Sequence, residues 1–449
     1  MVARRRASGR RALSLWANGQ RIGVWRIEPR TGHTLEYDPA WAASREGRPL
    51  SLSLPMEDGA LVLATPAVER YFDNLLPDSD AIRRRIRDRF RASSGDAFDL
   101  LAVIGRDCVG ALQLLPEDDQ PGALAPPTGT PLSEDDVARE LAAVTRPGRP
   151  VPDAADFRIS IAGAQEKTAL LRLDGQWLRP TGTTPTTHIF KLPLGVVGNM
   201  QADLSTSVEN EWLCLKILAQ FGLPVASADI GVFGGRKALV VERFDRVRPD
   251  ARSPLLRLMQ EDFCQALGLP AGAKYEYDQG PGMADLCERL LQSHQRDMDL
   301  ETFWQAQVLF AMLAATDGHA KNFSIRLLAG GDFHLTKLYD VLSAWPVIGP
   351  GANQLAWQNA RLAMAFRGKN VHYHLNGIRT RHLLATAERQ CRIARPRAEN
   401  LLDALIARTP AVVEAVAAQL PAGFPAKVSN TIFEGLRRSA DQFAGQRAE

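Results

Sequence analysis

After Pro254 the hydrophobic periodicity of this chain turns predominantly helical, and that change limits the folds open to it. Upstream, short alternating apolar runs predominate, the signature of half-buried strands; downstream, apolar residues recur at helical spacing. Residues 157–161, 168–173 and 188–192 read as strands. A helix follows over about 206–221, stopped by Gly222 with Pro224 beyond, and residues 228–232 and 238–243 are strands about the Gly234-Gly235 turn. Helices are expected at 260–267, 283–293, 300–315, 381–392 and across most of 398–420. Five strands and one helix leading into a helical body give an α+β, two-lobed architecture with a cleft between the lobes.

Residues 12–65 read as β-rich: 12–16 and 23–28 form a hairpin about Asn18-Gly19, and 50–54 alternate leucine with serine as a strand would. Helical patterns follow at 68–76, 80–92 and 96–104. The stretch 116–152 is loaded with Pro, Gly, Asp and Glu, with one helix start signal over 133–144, and a boundary is placed there. The division expected is a disordered basic arm (1–11), an N-terminal unit (12–150), a β-rich lobe (151–250) and a helical lobe (251–449), in keeping with a length of 449 residues that calls for more than one core.

The net charge of +3 conceals an uneven distribution. Residues 1–11 hold five arginines and no acid; residues 361–397 hold nine basic side chains (Arg361, Arg367, Lys369, Arg379, Arg381, Arg389, Arg392, Arg395, Arg397) against Glu388 alone; the rest carries 40 basic and 50 acidic residues. Such patches attract phosphate backbones, a frayed arm and a solvated helical face being the plain alternative. The five cysteines (Cys108, Cys214, Cys264, Cys287, Cys391) are odd in number and form no CxxC, so neither a disulfide framework nor a zinc site is indicated and a reducing cytoplasm is expected. No apolar run nears the roughly 18 residues of a spanning helix. No apolar segment follows the N-terminal arginines, so no secretory signal and no membrane partner are expected.

The densest chemistry lies in residues 315–324, ATDGHAKNFS, directly after an apolar helix. Asp317 and Asn322 have the D-x-x-x-x-N spacing of kinase catalytic loops, where the aspartate takes the substrate hydroxyl's proton and the asparagine holds magnesium. Residues 323–328 and 333–338 alternate about a Gly-Gly turn, so this hairpin should return Tyr339-Asp340 to Asn322. An Asn and an Asp leave magnesium positions for phosphate oxygens and water; a helix cap and a surface hairpin is the plain alternative. Residues 160–167, SIAGAQEK, form a small-residue turn whose N–H groups could face an anion, though neither a Walker A nor a GxGxxG sequence is present. Lys191 stands in an apolar strand, where burial demands a partner such as Glu209, Glu211 or a phosphate, unless it snorkels from a sheet edge. Glu242-Arg243-Phe244-Asp245 closes the last strand where a hinge would offer backbone groups to an adenine; a strand-end charge pair is the alternative. Metal-protease, nucleophile-elbow and reactive-cysteine signatures are missing.

These segments, together with 187–193 (THIFKLP), 241–246 (VERFDR), 260–262 (QED), 274–276 (KYE), 48–55 (RPLSLSLP), 72–79 (FDNLLPDS) and 99–101 (DLL), closely resemble the HipA family of bacterial toxin kinases, the DGHAKN and GAQEK motifs most specifically. The likeness covers nearly the whole chain apart from the arginine arm. It implies a two-lobed, protein-kinase-like fold and the use of ATP and Mg2+. It implies Asp317 as catalytic base and Asn322 and Asp340 as magnesium ligands. It further implies a phosphate loop of Ala162, Gly163, Ala164, Gln165, Glu166 and Lys167, and Lys191 on the α/β-phosphates. Glu242, Arg243 and Phe244 would lie along adenine, and His319, Ala320, Lys321, Asn322 and Tyr339 along the triphosphate. Ser160 matches the serine that such kinases autophosphorylate to switch themselves off. The family partners implied are a HipB-like helix-turn-helix antitoxin, operator DNA bound through that complex, with residues 361–397 as candidate DNA face, and an aminoacyl-tRNA synthetase substrate, glutamyl-tRNA synthetase for the nearest relatives, in a bacterial cytoplasm or at its nucleoid. The chemistry weighed against this is a small-molecule phosphotransferase, and a catalytically silent DNA-binding corepressor.

Overall fold

A computed structural model describes residues 11–56, 61–145, 162–163, 165–198 and 201–447. The predicted strand 157–161, Ser160, Ala164 and the boundary at 150 fall outside them. The chain opens on a five-stranded antiparallel sheet of β1 (Arg11–Ala17), β2 (Gln20–Glu28), β3 (Gly32–Tyr37), β4 (Val62–Leu63) and β5 (Gln113–Pro116), in the order β4-β3-β2-β1-β5. Asn18 and Gly19 both take positive φ, 48° and 78°, the hairpin turn that an Asn-Gly pair favours. Arg11, assigned to the basic arm, instead opens β1 opposite Ile27. Helices α1 (Pro39–Ala42), α2 (Pro66–Asp73) and α4 (Ala97–Ile104) cover the sheet, with Trp25 stacked on Phe72 at 4.0 Å, and α3 (Asp80–Phe90) packs on α4 from outside.

The next sheet is six-stranded and antiparallel. It contains β6 (Gly129–Pro131), β7 (Lys167–Leu173), β8 (Gln176–Pro180) and β9 (His188–Lys191). A small hairpin of β10 (Gly195–Val197) and β11 (Ala202–Leu204) precedes helix α6 (Ser207–Gln220), and β12 (Ala228–Phe233) and β13 (Arg236–Glu242) complete the sheet. Its order, β12-β13-β9-β7-β8-β6, places Lys191 on an interior strand, so the edge-lysine alternative does not hold. Helix α5 (Glu134–Thr145) shares a core with this sheet through Val137, Leu141, Leu170 and Phe190. Residues ahead of 150 therefore pack with the lobe that follows them, because β6 hydrogen-bonds to β8.

Short strands β14 (Arg246–Val247) and β15 (Leu256–Arg257) lead into the helical lobe. There β16 (Gln260–Asp262), β17 (Ser324–Leu327) and β18 (Phe333–Leu335) form a sheet beneath the cleft, among α7 (Phe263–Ala266), α8 (Met283–Leu290) and α9 (Arg296–Leu313), whose last eleven residues are almost all buried. A hairpin of β19 (Arg361–Arg367) and β20 (Val371–His374) precedes α10 (Thr380–Arg389), α11 (Arg395–Ala417) and α12 (Ala426–Gly445). The expected helix 260–267 is a strand followed by one helical turn: Gln260 and Asp262 pair with Arg326 and Ser324, and Asp262 then caps α7 in a reciprocal box with Gln265. The expected strand 50–54 is a tight turn, closed from Leu54 N to Ser51 O at 3.0 Å. Its alternation comes from Ser51 and Ser53 donating to the Gln265 carbonyl while Leu50 and Leu54 enter the core. No helix among the described residues is long and apolar enough to cross a membrane. All five cysteines are buried and free.

The same turn carries a titratable contact between the N-terminal unit and the helical lobe. Leu52 N donates to Glu261 Oε1 at 2.9 Å, while Glu261 Oε2 is buried without a partner. Burial, opposed by the Ser51 and Leu52 contacts, pushes the carboxyl up to about 8. A raised folded-state pKa adds stability that is complete below the unfolded value, near 4.5, and lost as pH rises through about 8. The melting temperature should therefore fall from about pH 5 to pH 8 and level off above it, and Glu261→Gln, which keeps the acceptor and removes the charge, should flatten that fall in a thermal melt series.

Candidate active site

A cleft of about 220 Å³ lies where the six-stranded sheet, the helical lobe and the N-terminal unit meet. Lys191 Nζ is 2.7 Å from Glu211 Oε1 on α6 and 2.7 Å from Asp340 Oδ1, so one ammonium ties the interior strand to its own lobe's helix and to the opposite lobe. Glu209, the other partner considered, pairs with Lys237. Burial alone would raise the Asp340 carboxyl, yet Lys191 and Lys167 hold it well below the usual range; burial outweighs Lys191 at Glu211, whose carboxyl moves up. We therefore take Lys191 and Asp340 as the charged pair.

The hairpin return expected from sequence is present. Asn322 Nδ2 donates to the Asp317 carbonyl at 2.8 Å and to the Asp340 carbonyl at 3.4 Å, which leaves Asn322 Oδ1 as the acceptor still to be used. Asp340 itself sits at φ 59°, a left-handed conformation that holds its carboxylate beside Lys191. The side chain of Asp317 is 58% exposed at the mouth, while His319 is buried, with Nδ1 unpartnered and Nε2 3.9 Å from Asp317 Oδ1. Burial, opposed by Asp317, lowers the His319 pKa.

The phosphate-loop residues divide. Gly163 has φ 106°, a left-handed backbone conformation that needs glycine, and a Cβ there would in addition displace Lys167 Nζ. Lys167 Nζ donates to the Ala162 carbonyl, and burial beside Lys191 pushes its pKa down to about 8. Gln165 braces the loop through the Leu192 carbonyl, whereas Glu166 turns outward to Arg85 on α3. At the other end, Glu242 N and Arg243 N are already engaged by Ser227 O and Thr187 O, and Phe244 O accepts from Arg326 Nη2. The Glu242 carbonyl and the Phe244 amide remain for a base edge. The Arg243 side chain is unavailable, held at 1% exposure by Asp107 and Asp245. Ala320 lies buried beneath the site, and Tyr339 braces it by donating to the Lys321 carbonyl at 2.9 Å, with its ring 5.8 Å from Phe244.

Residues with no sequence-assigned role complete the cleft. Asp78, from the N-terminal unit, accepts from Lys274 Nζ and Lys321 Nζ, both at 2.8 Å, and its own amide donates to Gly163 O at 3.2 Å. Against the effect of burial, the two lysines hold its carboxyl down at about 2. Tyr275 donates to Asp317 Oδ1 at 2.5 Å. Both lie in segments that carried the family resemblance, which was the only signal for them; nothing local in the sequence says that residue 78 faces residue 321.

Family models match residues 159–413 as a HipA-like C-terminal domain and residues 13–115 as a HipA N-terminal domain. The chain belongs to the HipA family. Relatives include "Putative kinase Y4mE" of Sinorhizobium fredii, 35% identical over 76% of this chain and 79% of that protein. Another is "Serine/threonine-protein kinase toxin HipA" of Shewanella oneidensis, 30% identical over 69% of each. A solved structure of the Shewanella oneidensis toxin-antitoxin system, HipA with HipB and operator DNA, contains a chain that superposes with a TM-score of 0.77 at 24% identity, covering 96% of this chain and 97% of that one. The fold is thus the α+β, kinase-like fold of HipA proteins.

The cleft fits a magnesium nucleotide on its own geometry. Its apolar end, with Ile189, Val241 and Leu342, adjoins two spare backbone groups; its polar end presents Lys167, an unpartnered His319 Nδ1 and two oxygen donors, Asn322 Oδ1 and the Asp340 carboxylate. Lys191→Met should abolish nucleotide binding by calorimetry and, by leaving Glu211 and Asp340 without their cation, cost about 3 kcal/mol in denaturant unfolding. Asp78→Asn, which leaves Lys274 and Lys321 without their carboxylate, should lower the melting temperature and weaken nucleotide binding about tenfold; Asp78→Glu should recover part of both.

Proposed function

We propose that this HipA-family chain is a magnesium-dependent serine/threonine protein kinase and the toxin of a toxin-antitoxin pair. The observation that carries the reading is the bridged set Lys191, Glu211, Asp340 and Asn322, which draws both lobes around one polar point beside Asp317. Asp317 accepts the proton of the acceptor hydroxyl as that oxygen attacks phosphorus. Lys191 and Lys167 neutralise phosphate charge, and the Gly163 turn keeps side chains clear of it. Asn322 and Asp340 would hold Mg2+, which when bound neutralises charge on the transferring phosphoryl group. Glu242 and Phe244 fix the base through their backbones. The exposure of Asp317 at an open mouth favours a macromolecular acceptor over an enclosed metabolite.

The finer reading follows the family. An aminoacyl-tRNA synthetase, glutamyl-tRNA synthetase in particular, is the proposed substrate, with translation arrest as the outcome. Ser160, just ahead of the phosphate loop, is the proposed autophosphorylation site, where a dianion would repel the nucleotide. A HipB-like helix-turn-helix protein is the proposed antitoxin, and the complex the proposed operator-bound repressor. In residues 361–397, Arg361, Lys369, Arg381, Arg389 and Arg392 remain exposed for such a partner, while Arg367 is engaged by Glu276, Arg395 by Glu399 and Arg397 by Glu301.

With labelled ATP, the wild-type chain should label itself at Ser160 and label the synthetase. Asp317→Asn should lower both rates at least 100-fold with nucleotide binding retained. Undiminished labelling in that variant would sink the assignment, and label appearing only in small molecules would move the function to a metabolite kinase.

A further inference from the structure

A second cavity, of about 350 Å³, opens between the loop 119–128 and the turn 181–185, on the side of the β-rich lobe that meets the N-terminal unit. Its polar walls are Arg106, Arg257 and four threonines, Thr128, Thr181, Thr183 and Thr184. Arg106 is 39% exposed and reaches Asp119 only at 3.6 Å. Arg257 is 2% exposed: Nε donates to Asp107 Oδ1 at 3.2 Å and Nη2 to the Thr183 carbonyl at 3.0 Å, while Nη1 makes no hydrogen bond.

Behind Arg257 the charges do not balance. Arg243, Arg246 and Arg257, all buried, share two buried carboxylates, Asp107 and Asp245. Three guanidiniums against two carboxylates leave one uncompensated positive charge in the interior, which is unfavourable unless an anion approaches. Burial and the neighbouring guanidiniums push Arg246 down to about 10, and burial likewise lowers Arg257. The excess charge meets solvent where Arg257 and Arg106 line the cavity.

We propose that this cavity is a binding site for a small phosphate-bearing anion, taken between the guanidiniums of Arg106 and Arg257 with threonine hydroxyls as further donors. Paired guanidinium donors match phosphate oxygens, and the volume exceeds what a bare phosphate fills, leaving room for the group that carries it. The site is wired to the nucleotide cleft. Arg257 and Arg243 hold the same Asp107, and Arg243 stands between Glu242 and Phe244, the two residues whose backbones face the base. Occupancy should therefore be felt at the adenine end of the cleft.

The test uses the full chain with its cleft filled by a non-hydrolysable magnesium ATP analogue, titrated calorimetrically with inorganic phosphate and with glucose 6-phosphate. One site should persist, weakened at least tenfold in Arg106→Ala and in Thr183→Val, with unchanged melting temperatures in the absence of anion. Arg106→Gln serves as a second variant should Arg106→Ala melt early. Equal binding by wild type and the variants, or loss of binding once the cleft is filled, would overturn the proposal. In the wild type, saturating anion should also shift the affinity for the ATP analogue at least twofold, a shift missing in Arg106→Ala; no shift in the wild type would overturn the link to the hinge. These readouts rest on nucleotide binding in the cleft but not on catalysis, so their failure is distinct from a failure of the phosphoryl-transfer assignment.

Discussion

The ammonium of Lys191 is the point on which this architecture turns. It lies on an interior strand, where an unpaired lysine would be costly, and its two partners come from different parts of the molecule: Glu211 from the helix behind the sheet and Asp340 from the opposite lobe. A contact of this kind sets more than local stability. The strand, the helix and the loop after β18 must arrive together for the ammonium to meet both of its carboxyl partners, so the polar end of the cleft forms only when both lobes are in register. The left-handed backbone at Asp340 is what that arrangement demands locally.

At the other end of the cleft the hinge is held by a different device. The strand end at Glu242 is anchored by guanidiniums threaded into the N-terminal unit, where Cys108 O accepts from Arg243 and Arg246, and Gly110 N donates to Asp245. Gly110 tolerates no side chain, because a Cβ would press on the Gln260 carbonyl at 2.8 Å. In a kinase body with a free hinge the lobes pivot about such a segment; here the N-terminal unit grips it from outside.

Much of this was legible in the sequence because it is local. The Asn-Gly hairpin, the helix over residues 207–220 and its Gly222 stop, the strands about Gly234-Gly235 and the return of Asp340 to Asn322 all rest on spacing within a few residues. What escaped depended on contacts far along the chain. The serines at 51 and 53 alternate because they face the Gln265 carbonyl, not because they lie in a ladder. Residues 260–262 carry helical spacing, yet pairing with residues 324–326 makes them a strand. Helix α12 and the hairpin of β19 and β20 went unread: the strand Arg361–Arg367 was seen as a run of charge, although its five interior residues are buried. Arg243 illustrates the same point within the site, since its position beside the hinge suggested a ligand contact while its side chain is committed to buried aspartates.

The placement of Asp78 bears on how such proteins are inherited. It belongs to the segment that precedes the kinase-like body, yet its carboxylate stands inside the cleft between Lys274 and Lys321, and its amide fastens the turn at Gly163. A gene carrying the body alone would encode a cleft with two lysines set free and a loop unfastened, together with the face of α7 that packs on α2 laid bare. The two segments are therefore not modules that recombination can reshuffle at will; a lineage that separates them must first replace one carboxylate, and one that keeps them together inherits the cleft as a single heritable unit.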